Sequence, residues 1–290
     1  MAFISVLISL FAERFLGSME SMRRFDWFDT YCRWLRRHLP ESTPWEGPFG
    51  VLLLMSAPVL GVTLFGYFVG ELWLPLGFVF SVLMLLYCYG PRDLEAEVEA
   101  FVDARERGDE ESAEWHADSL LGDDRPENSH ALTVTMMEHI FVETNERLLG
   151  VIFWFVVLGP TGAILYRLSC LEKFNQRQHT DGFAVSVRHL HDILAWVPAR
   201  ICALGYALSG SFEDSIFAWR KEASAYSDAT RGVLISSGFG ALQKERHNDS
   251  EDPHPDISNE DINATMTLFK RTQLVCLAFL ALLTLAGWLG

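Results

Sequence analysis

Long apolar stretches separated by charged segments dominate the pattern of this chain. Residues 49–90 contain a single charged residue, Glu71, and this run is twice the ~20 residues that a helix needs to span the hydrocarbon core. A break near Glu71 and Pro75 divides the run, so the pattern predicts two membrane helices joined by a tight turn. Two further apolar segments, 148–168 and 273–289, predict a third and a fourth span.

The third apolar segment is interrupted at its middle by Gly159-Pro160-Thr161-Gly162. Proline removes a backbone donor and clashes with the preceding turn, so the helix must bend or break there. In a bilayer the freed carbonyl groups need partners, which places such a break against protein or a wet cavity. Two interpretations stay open: a proline kink that serves packing, and a discontinuous helix that lines a ligand site, as in many transporters.

The N-terminal residues 1–48 combine a short apolar stretch with a segment rich in arginine and aromatic residues. About a dozen apolar residues precede Glu13, too few for a full span, so we expect a partly inserted or bundle-packed helix, with a tilted first span as the alternative. Arginine mixed with Trp and Tyr in residues 13–48 is typical of the lipid headgroup level, and the positive-inside rule places this segment in the cytoplasm. The hairpin at 49–90 then returns residues 91–147 to the same side.

Polar segments separate the predicted membrane helices. Residues 91–147 hold 17 acidic against five basic residues, and their apolar spacing predicts amphipathic helices with solvated acidic faces. Residues 211–271 are polar, and their part at 244–263 predicts a mobile loop. The intervening 190–208 is apolar enough to enter the membrane although charged residues interrupt it, which leaves the membrane side of residues 169–271 open.

Together these patterns predict an all-α integral membrane helical bundle with about four transmembrane helices, interfacial or half-buried helices, and an acidic helical aqueous region. The predicted boundaries are an N-terminal apolar helix and interfacial segment at 1–48, a transmembrane hairpin at 49–90, the acidic region at 91–147, a broken membrane helix with its following helix at 148–210, a polar region with a mobile loop at 211–271, and a C-terminal transmembrane helix at 272–290.

The formal net charge of −15 argues against nucleic acid as a partner, because nucleic-acid binding needs clustered Lys and Arg. The five cysteines lie far apart and form no CxxC pair, so we expect no disulfide framework. His189 and His191 are two residues apart and point to different sides of a helix, so they cannot share one ion, and we expect no metal site. Neither a Walker-type phosphate loop nor a GxSxG nucleophile motif occurs, and any cofactor stays unknown.

The densest polar patch lies at the end of the third apolar segment and in the helix that follows. It supplies five candidate ligand-binding residues: Tyr166, Arg167, Arg188, Asp192 and Arg200. Charged side chains on a largely apolar helix are costly and are usually paired or functional. Asp192 is spaced to share a helix face with Arg188 or Arg200, so a structural ion pair competes with a ligand site. For Tyr166 and Arg167 the structural alternative is anchoring at the membrane interface.

The chain resembles the AmpE family of bacterial inner-membrane proteins over nearly its whole length. The resemblance rests on the order and spacing of Phe153-Trp154-Phe155, Leu158-Gly159-Pro160, Gly162 to Arg167, Asp192 to Arg200 and Ala203-Leu204, with Glu13-Arg14 and the junction Gly90-Pro91-Arg92-Asp93-Leu94. It implies a multi-pass protein of the bacterial cell inner membrane that modulates signalling in β-lactamase induction, a response linked to cell-wall stress.

The AmpE family is in turn distantly similar to membrane-bound adenosylcobinamide-phosphate synthases, which form an amide bond during cobalamin assembly. The shared parts are the Gly-Pro membrane helix ending in Tyr-Arg and the helix that carries Asp192, Pro198 and Arg200. Where the synthases have an Arg-x-Asp-Asp run, residues 189–192 read His-Leu-His-Asp, and Ala195 replaces their Asn. Their early Asp-Pro and His-Pro signature is absent. The resemblance thus implies a retained scaffold with a changed or lost ligand.

The leading hypothesis is a signalling modulator that binds a small polar ligand, such as a cell-wall fragment, in a cavity near the membrane. One alternative is a membrane enzyme related to the amide-forming synthases, in which Asp192 would transfer protons and Arg167 or Arg200 would hold an anion. Another is a scaffold that docks a cytosolic protein through the acidic residues 91–130. The expected partners are the lipid bilayer, a small polar ligand and a cytosolic protein, and whether the chain is an enzyme stays undecided.

Overall fold

The chain is helical throughout its described part. The computed structural model describes residues 2–16, 25–38, 45, 47–89, 94–126, 128–243 and 259–287. Within them the α-helices are α1 (Ala2–Leu16), α2 (Asp26–His38), α3 (Pro48–Leu72), α4 (Leu74–Cys88), α5 (Leu94–Glu106), α6 (Glu110–Leu121), α7 (Ser129–Glu143), α8 (Gly150–Leu158), α9 (Pro160–Asn175), α10 (Gly182–Ser209), α11 (Phe212–Glu222), α12 (Ala229–Ala241) and α13 (Asn259–Leu285). The prediction of an all-α protein is confirmed for these residues.

The chain divides into two compact units. The first unit comprises Met1–Pro91, Glu146–Pro198 and Ala281–Gly290, and the second comprises Arg92–Asn145 and Ala199–Leu280. Most of the predicted loop at 244–263 and the predicted junction at 90–93 lie outside the described residues.

In the first unit, α3 and α4 form a helical hairpin. Trp73 separates the two helices with an extended backbone (φ −165°, ψ 123°). The helices then run back along each other, since a Cβ added at Gly77 would lie 3.1 Å from Cα of Gly70, and one at Gly66 would lie 3.0 Å from the Phe80 ring. Such close backbone approach at small residues is typical of helix packing in membranes.

α1 packs along α4 instead of standing alone. The hydroxyl oxygens of Ser9 and Tyr89 lie 2.9 Å apart and both side chains are buried. Val6 is also buried, whereas Ile4 and Phe11 on the other side of the helix are exposed. With 15 residues, α1 is shorter than the ~20 residues of a full span. It therefore joins the bundle along one face and leaves its opposite apolar face open.

The predicted third span reverses direction at its centre. Gly159 ends α8 with φ 66°, a left-handed conformation that glycine adopts without strain, and Pro160 begins α9 with the fixed φ of a helix start. α9 then packs antiparallel to α8, as close contacts between residues far apart in sequence demonstrate. These contacts pair Trp154 with Gly162, Gly150 with Tyr166, and Glu146 with Cys170.

The prediction of one span across residues 148–168 is therefore wrong, and so is the simple proline kink. The length of an apolar run indicates how many residues are removed from water, but it does not show whether the chain reverses direction inside the run. Thr161 at the tip of the hairpin touches α3, with its Oγ1 3.0 Å from Oγ1 of Thr63. The α8–α9 hairpin thus has its tip beside α3 and both of its open ends at residues 146–150 and 170–175.

Two described helices, α3 and α13, combine the length and the apolar composition of a membrane span. α4 is apolar but has 15 residues, and α8 and α9 are the arms of the hairpin. The prediction of four spans is therefore not confirmed. The predicted C-terminal span corresponds to the second half of α13, which begins earlier, at Asn259.

The second unit has its own aromatic core. The Phe141 ring lies 5.5 Å from that of Tyr206 and 5.4 Å from that of Phe239, in edge-to-face geometry. The hydroxyl of Tyr206 donates to the carbonyl oxygen of Phe141 at 2.8 Å, so a buried polar group is satisfied. In α5, Val98 and Phe101 lie on the buried side. Glu99, the acidic residue between them, is exposed.

Candidate functional site

The base of the α8–α9 hairpin gathers charged side chains of the first unit. The residues before α8, Thr144–Leu149, form a π-helical turn, a rare conformation that is frequent at functional sites. Glu146 in this turn faces α9, where Nζ of Lys173 lies 3.6 Å from Oε1 of Glu146. These side chains are 21% and 24% exposed, so the cluster is open to solvent on this side.

His191 of α10 lies on the buried side of Glu146. Nε2 of His191 lies 3.3 Å from Oε1 of Glu146, and the His191 side chain is fully buried. Its ring stacks on that of Tyr166, with centroids 5.9 Å apart and an angle of 28° between the planes. Among the described residues, neither Nδ1 nor Nε2 of His191 has a hydrogen-bond partner, so Nε2 makes a close electrostatic contact with Glu146 and Nδ1 makes no polar contact of this kind. A buried polar atom without a hydrogen bond lowers the folding stability by about 1–3 kcal/mol. A bound ligand that supplies the missing hydrogen bond would remove this penalty.

Arg167 follows Tyr166 and is buried as well. Only 6% of Arg167 is exposed, and its guanidinium lies over the Phe25 ring at 5.9 Å from the centroid. Its Nε donates no hydrogen bond within the described chain. Guanidinium groups carry five N–H donors in a fixed planar fork that matches a carboxylate or a phosphate. A buried arginine with an unused donor is therefore suited to hold an anionic ligand.

The charges around Glu146 keep it ionised. Burial by itself would raise the pKa of Glu146, but Lys173, His191 and Arg167 together outweigh burial and hold this pKa below its usual range. One carboxylate thus faces three basic side chains.

Two features of the sequence allow this cluster to form. Gly150 lies directly against the Tyr166 ring, where any side chain would overlap it, so the glycine lets Tyr166 pack between α8 and His191. Trp154 joins α8 to α10 through its Nε1, which donates to the carbonyl oxygen of Leu194 at 2.9 Å. These contacts fix α10 beside the hairpin and point His191 at its base.

A second polar cluster lies nearby around Glu172 of α9. Nε2 of Gln176 donates to Oε1 of Glu172 at 2.9 Å, and Nη2 of Arg36 lies 4.0 Å away. Burial raises the pKa of Glu172 despite the Gln176 hydrogen bond. Burial, followed by the charge of Glu172, raises the pKa of Cys32 to about 12. The Arg36 guanidinium also lies over the Phe183 ring at 5.0 Å, so this cluster is already filled by the protein's own side chains.

The structure brings together only part of the predicted ligand set. Tyr166 and Arg167 lie in the cluster at the base of the hairpin. Arg188 instead uses its Nη1 to bond the carbonyl oxygens of Gln176 and His179, at 3.4 and 3.0 Å.

The two remaining candidates lie further along α10. Asp192 is half-buried in the first unit, and Arg200 is half-buried in the second. One cavity formed by all five predicted residues therefore stays a prediction.

Three residues of the cluster were missed from the sequence: Glu146, Lys173 and His191. Glu146 was assigned to an acidic solvated segment, because a π-helical turn leaves no pattern that single-sequence reasoning detects. His191 was tested only as a metal partner of His189. The two do lie on different sides of α10, with His189 exposed and His191 buried. The signal available in the sequence was a histidine on a largely apolar face of the predicted helix.

Groups of three or more His, Cys, Asp or Glu side chains that could hold a metal ion do not occur among the described residues. The Lys173 and Arg167 side chains near Glu146 are also unsuited to a cation, because metal sites gather carboxylates and neutral imidazoles.

Comparison of the sequence with known proteins shows the family of the chain. The family model described as "CobD/Cbib protein" matches residues 6–245. The chain is 27% identical over 246 residues to "Cobalamin biosynthesis protein CobD" of Chromobacterium violaceum, which covers 81% of this chain and 78% of that protein. It is 26% identical over 248 residues to the protein of the same name from Stutzerimonas stutzeri, covering 83% and 80%. No solved structure matches the chain.

These matches correct the main functional hypothesis. The prediction of a signalling modulator of β-lactamase induction is wrong, because the matching family is described as CobD/Cbib protein and both relatives are named cobalamin biosynthesis protein CobD. The AmpE assignment is not confirmed. The similarity to cobinamide-phosphate synthases, which was the more distant of the two resemblances, is the one that the comparisons support.

Proposed function

Because the chain belongs to the CobD/Cbib protein family, we propose that it is a membrane enzyme of cobalamin assembly that joins a carboxylic acid to an amine as an amide. The proposal draws on the resemblance to adenosylcobinamide-phosphate synthases and on the names of both relatives. Under this proposal the substrates are a corrinoid carboxylic acid and an amino alcohol or its phosphate.

The observation that carries this proposal is the buried, hydrogen-bond-deficient Arg167 beside the Glu146 cluster. Amide formation between a carboxylate and an amine handles anions at every stage: the carboxylate itself, the group that activates it and the oxyanion of the tetrahedral intermediate. A guanidinium in a water-poor site stabilises such charge strongly. In our proposal Arg167 holds an oxyanion of the substrate, and Lys173 supplies a second positive charge at the open side.

The membrane arrangement follows from the hairpins. We propose a multi-pass protein of the bacterial inner membrane in which α3 and α4 enter and return, α13 crosses, and the α8–α9 hairpin enters and leaves on one side. Thr63, which touches the hairpin tip, lies nine residues before the end of α3, about 14 Å at 1.5 Å per residue. The tip therefore stops short of the far surface. This re-entrant arrangement brings the polar cluster at its base to the membrane–water boundary, where water-soluble substrates can reach it.

One departure from the synthase pattern falls beside the cluster. Residues 189–192 read His-Leu-His-Asp where the synthases have Arg-x-Asp-Asp, which puts a histidine at the position that faces Glu146. An Asp at position 191 would confront the Glu146 carboxylate with a like charge. A histidine at this position attracts the carboxylate instead. The local chemistry of this chain therefore differs from that of the synthases, while the scaffold is retained.

Complementation tests the proposal. A bacterium that lacks its own CobD is supplied with the wild-type chain, Arg167→Gln or the control Arg188→Gln, and cobalamin-dependent growth is measured on a corrinoid acid or on the finished amide. We expect the wild type and Arg188→Gln to restore growth on the acid, and Arg167→Gln to fail although the protein accumulates in the membrane. If the CobD-deficient bacterium that carries the wild-type chain grows on the amide but not on the acid, an amide-forming role is refuted.

A further inference from the structure

His191 and Glu146 form a close contact between a carboxylate and a buried imidazole at the base of the hairpin. Oε1 of Glu146 lies 3.3 Å from Nε2 of the fully buried His191 ring. A carboxylate beside one ring nitrogen holds the proton of the neutral imidazole on that nitrogen, which leaves the lone pair on the other one. The other nitrogen is Nδ1, and it is buried without a hydrogen-bond partner among the described residues.

We propose that Nδ1 of His191 accepts the proton of the attacking amine during amide formation, and that Glu146 is the positioning residue that fixes the tautomer and the ring. This inference rests on the amide-forming function proposed above. It assigns the general base to a residue that the sequence alone did not select, in place of Asp192.

The reaction balances as follows. A nucleoside triphosphate is the activating co-reactant. An oxygen of the substrate carboxylate attacks its γ-phosphorus and displaces the nucleoside diphosphate to give an acyl phosphate, or attacks its α-phosphorus and displaces pyrophosphate to give an acyl adenylate. The amine nitrogen attacks the acyl carbon, the C–N bond forms, and the C–O bond to the phosphate group breaks with its electron pair leaving on that phosphate. The amine proton passes to Nδ1 of His191 and from there to solvent. A bound amine is a much better nucleophile when a base removes this proton during attack.

The surroundings of His191 suit this task. Glu146 on the Nε2 side stabilises the imidazolium that forms when Nδ1 takes the proton, in the way a buried carboxylate supports the histidine of a hydrolase triad. Tyr166 holds the ring by stacking, and Arg167 and Lys173 face the same carboxylate from α9. On α10 itself the neighbouring charged groups are Arg188 and Asp192.

The experiment compares pH profiles of kcat/KM for amide formation by the full-length protein in lipid nanodiscs. His191→Gln places an amide nitrogen near the former Nε2, so it keeps the contact with Glu146 and loses Nδ1. His189→Gln is the matched control, because His189 lies on the same helix, two residues away, with an exposed side chain. Glu146→Gln tests the positioning role. Thermal unfolding and substrate binding are measured for each variant.

We expect the wild type and His189→Gln to lose activity at low pH with unit slope, as one group becomes protonated. His191→Gln should fall by about 10²–10⁴-fold, the usual contribution of a general base, and should lose this acidic limb while substrate binding stays normal. Glu146→Gln should keep a limb at a different pH. An active wild type with an unchanged acidic limb in His191→Gln overturns the inference alone, whereas an inactive wild type overturns the proposed function.

A second measurement covers a His191→Gln variant that fails to fold. In wild-type protein carrying ¹⁵N-labelled histidine, the resonances of neutral His191 should report a proton on Nε2 and none on Nδ1. Glu146→Gln should shift that tautomer population towards the Nδ1-protonated form. A wild-type ring protonated on Nδ1, or a population that ignores Glu146→Gln, overturns the inference without any enzyme assay.

Discussion

Replacing Gly162 with alanine tests the α8–α9 hairpin, on which the whole site depends. A Cβ at position 162 would overlap the carbonyl oxygen of Trp154 and would lie 2.8 Å from Cβ of Leu158. The obstacle is backbone on a facing helix, so no side-chain rotation relieves it. The two arms of the hairpin must therefore move apart.

The size of the effect follows from the contact distance. Restoring an ordinary contact of 3.4 Å to Leu158 needs a shift of at least ~0.6 Å, and relieving the overlap with the carbonyl oxygen of Trp154 needs more. A gap of that size along a packed interface loses about a quarter to a half of the dispersion energy of the atoms involved. Overpacking of this kind costs about 1–3 kcal/mol. We expect the same loss in the free energy of unfolding.

The assay is reversible unfolding in mixed micelles by titration with sodium dodecyl sulfate. The matched control is Gly61→Ala in α3, where an added Cβ meets no atom within 4 Å. Gly61→Ala should leave stability unchanged or raise it slightly, because alanine favours the helix by up to about 1 kcal/mol. If Gly162→Ala unfolds at the same detergent fraction as Gly61→Ala, the helices do not approach each other there, and residues 148–168 form a single span after all.

Further predictions concern the charges, the topology and the thiol. Arg167→Gln should weaken binding of the substrate oxyanion by about 10–100-fold, as expected for the loss of a charged hydrogen bond, measured by calorimetry; unchanged affinity would place the anion elsewhere. Single cysteines introduced at Arg147 and Gln178 should react with an impermeant maleimide from the same side of sealed vesicles, and opposite sides would contradict the hairpin. In a variant with Cys32 as the single cysteine, alkylation at pH 8 should be slow, because the pKa of this thiol is raised to about 12. Glu172→Gln should speed up the alkylation, since it removes a negative charge that disfavours the thiolate. Equal alkylation rates would exclude this electrostatic coupling.

The apolar pattern alone predicts the helical class and the first hairpin well. The reason is local: a long apolar run must be helical in a bilayer, and the charge of Glu71 with Pro75 indicates where it breaks. The same reasoning mistook 148–168 for one span, because Gly159 and Pro160 fit a kink and a reversal equally well. Contacts between the two arms, such as that of Gly162 with Trp154, distinguish a reversal from a kink, and such contacts depend on the three-dimensional packing.

The site was half predictable for a related reason. Arg167 stands out because placing a cation at the end of an apolar segment costs free energy, and Tyr166 stands out as the polar aromatic residue beside it. Glu146 does not stand out, since it ends a region full of solvated carboxylates, and its partners on α9 and α10 are 27 and 45 residues away in sequence. His191 gains its meaning from Glu146, so missing one meant missing the other.

The central claim is that this chain forms an amide at the cluster beside Arg167. The most direct measurement supplies the full-length protein in lipid nanodiscs with a corrinoid carboxylic acid, a phosphorylated amino alcohol and a nucleoside triphosphate, and follows the product by mass spectrometry. The account predicts one amide per nucleotide consumed for the wild type and for Arg188→Gln, and at least a 100-fold slower reaction for Arg167→Gln, in line with the loss of an oxyanion-binding group. Unchanged corrinoid acid in the wild-type reaction, or an undiminished rate in Arg167→Gln, would contradict it.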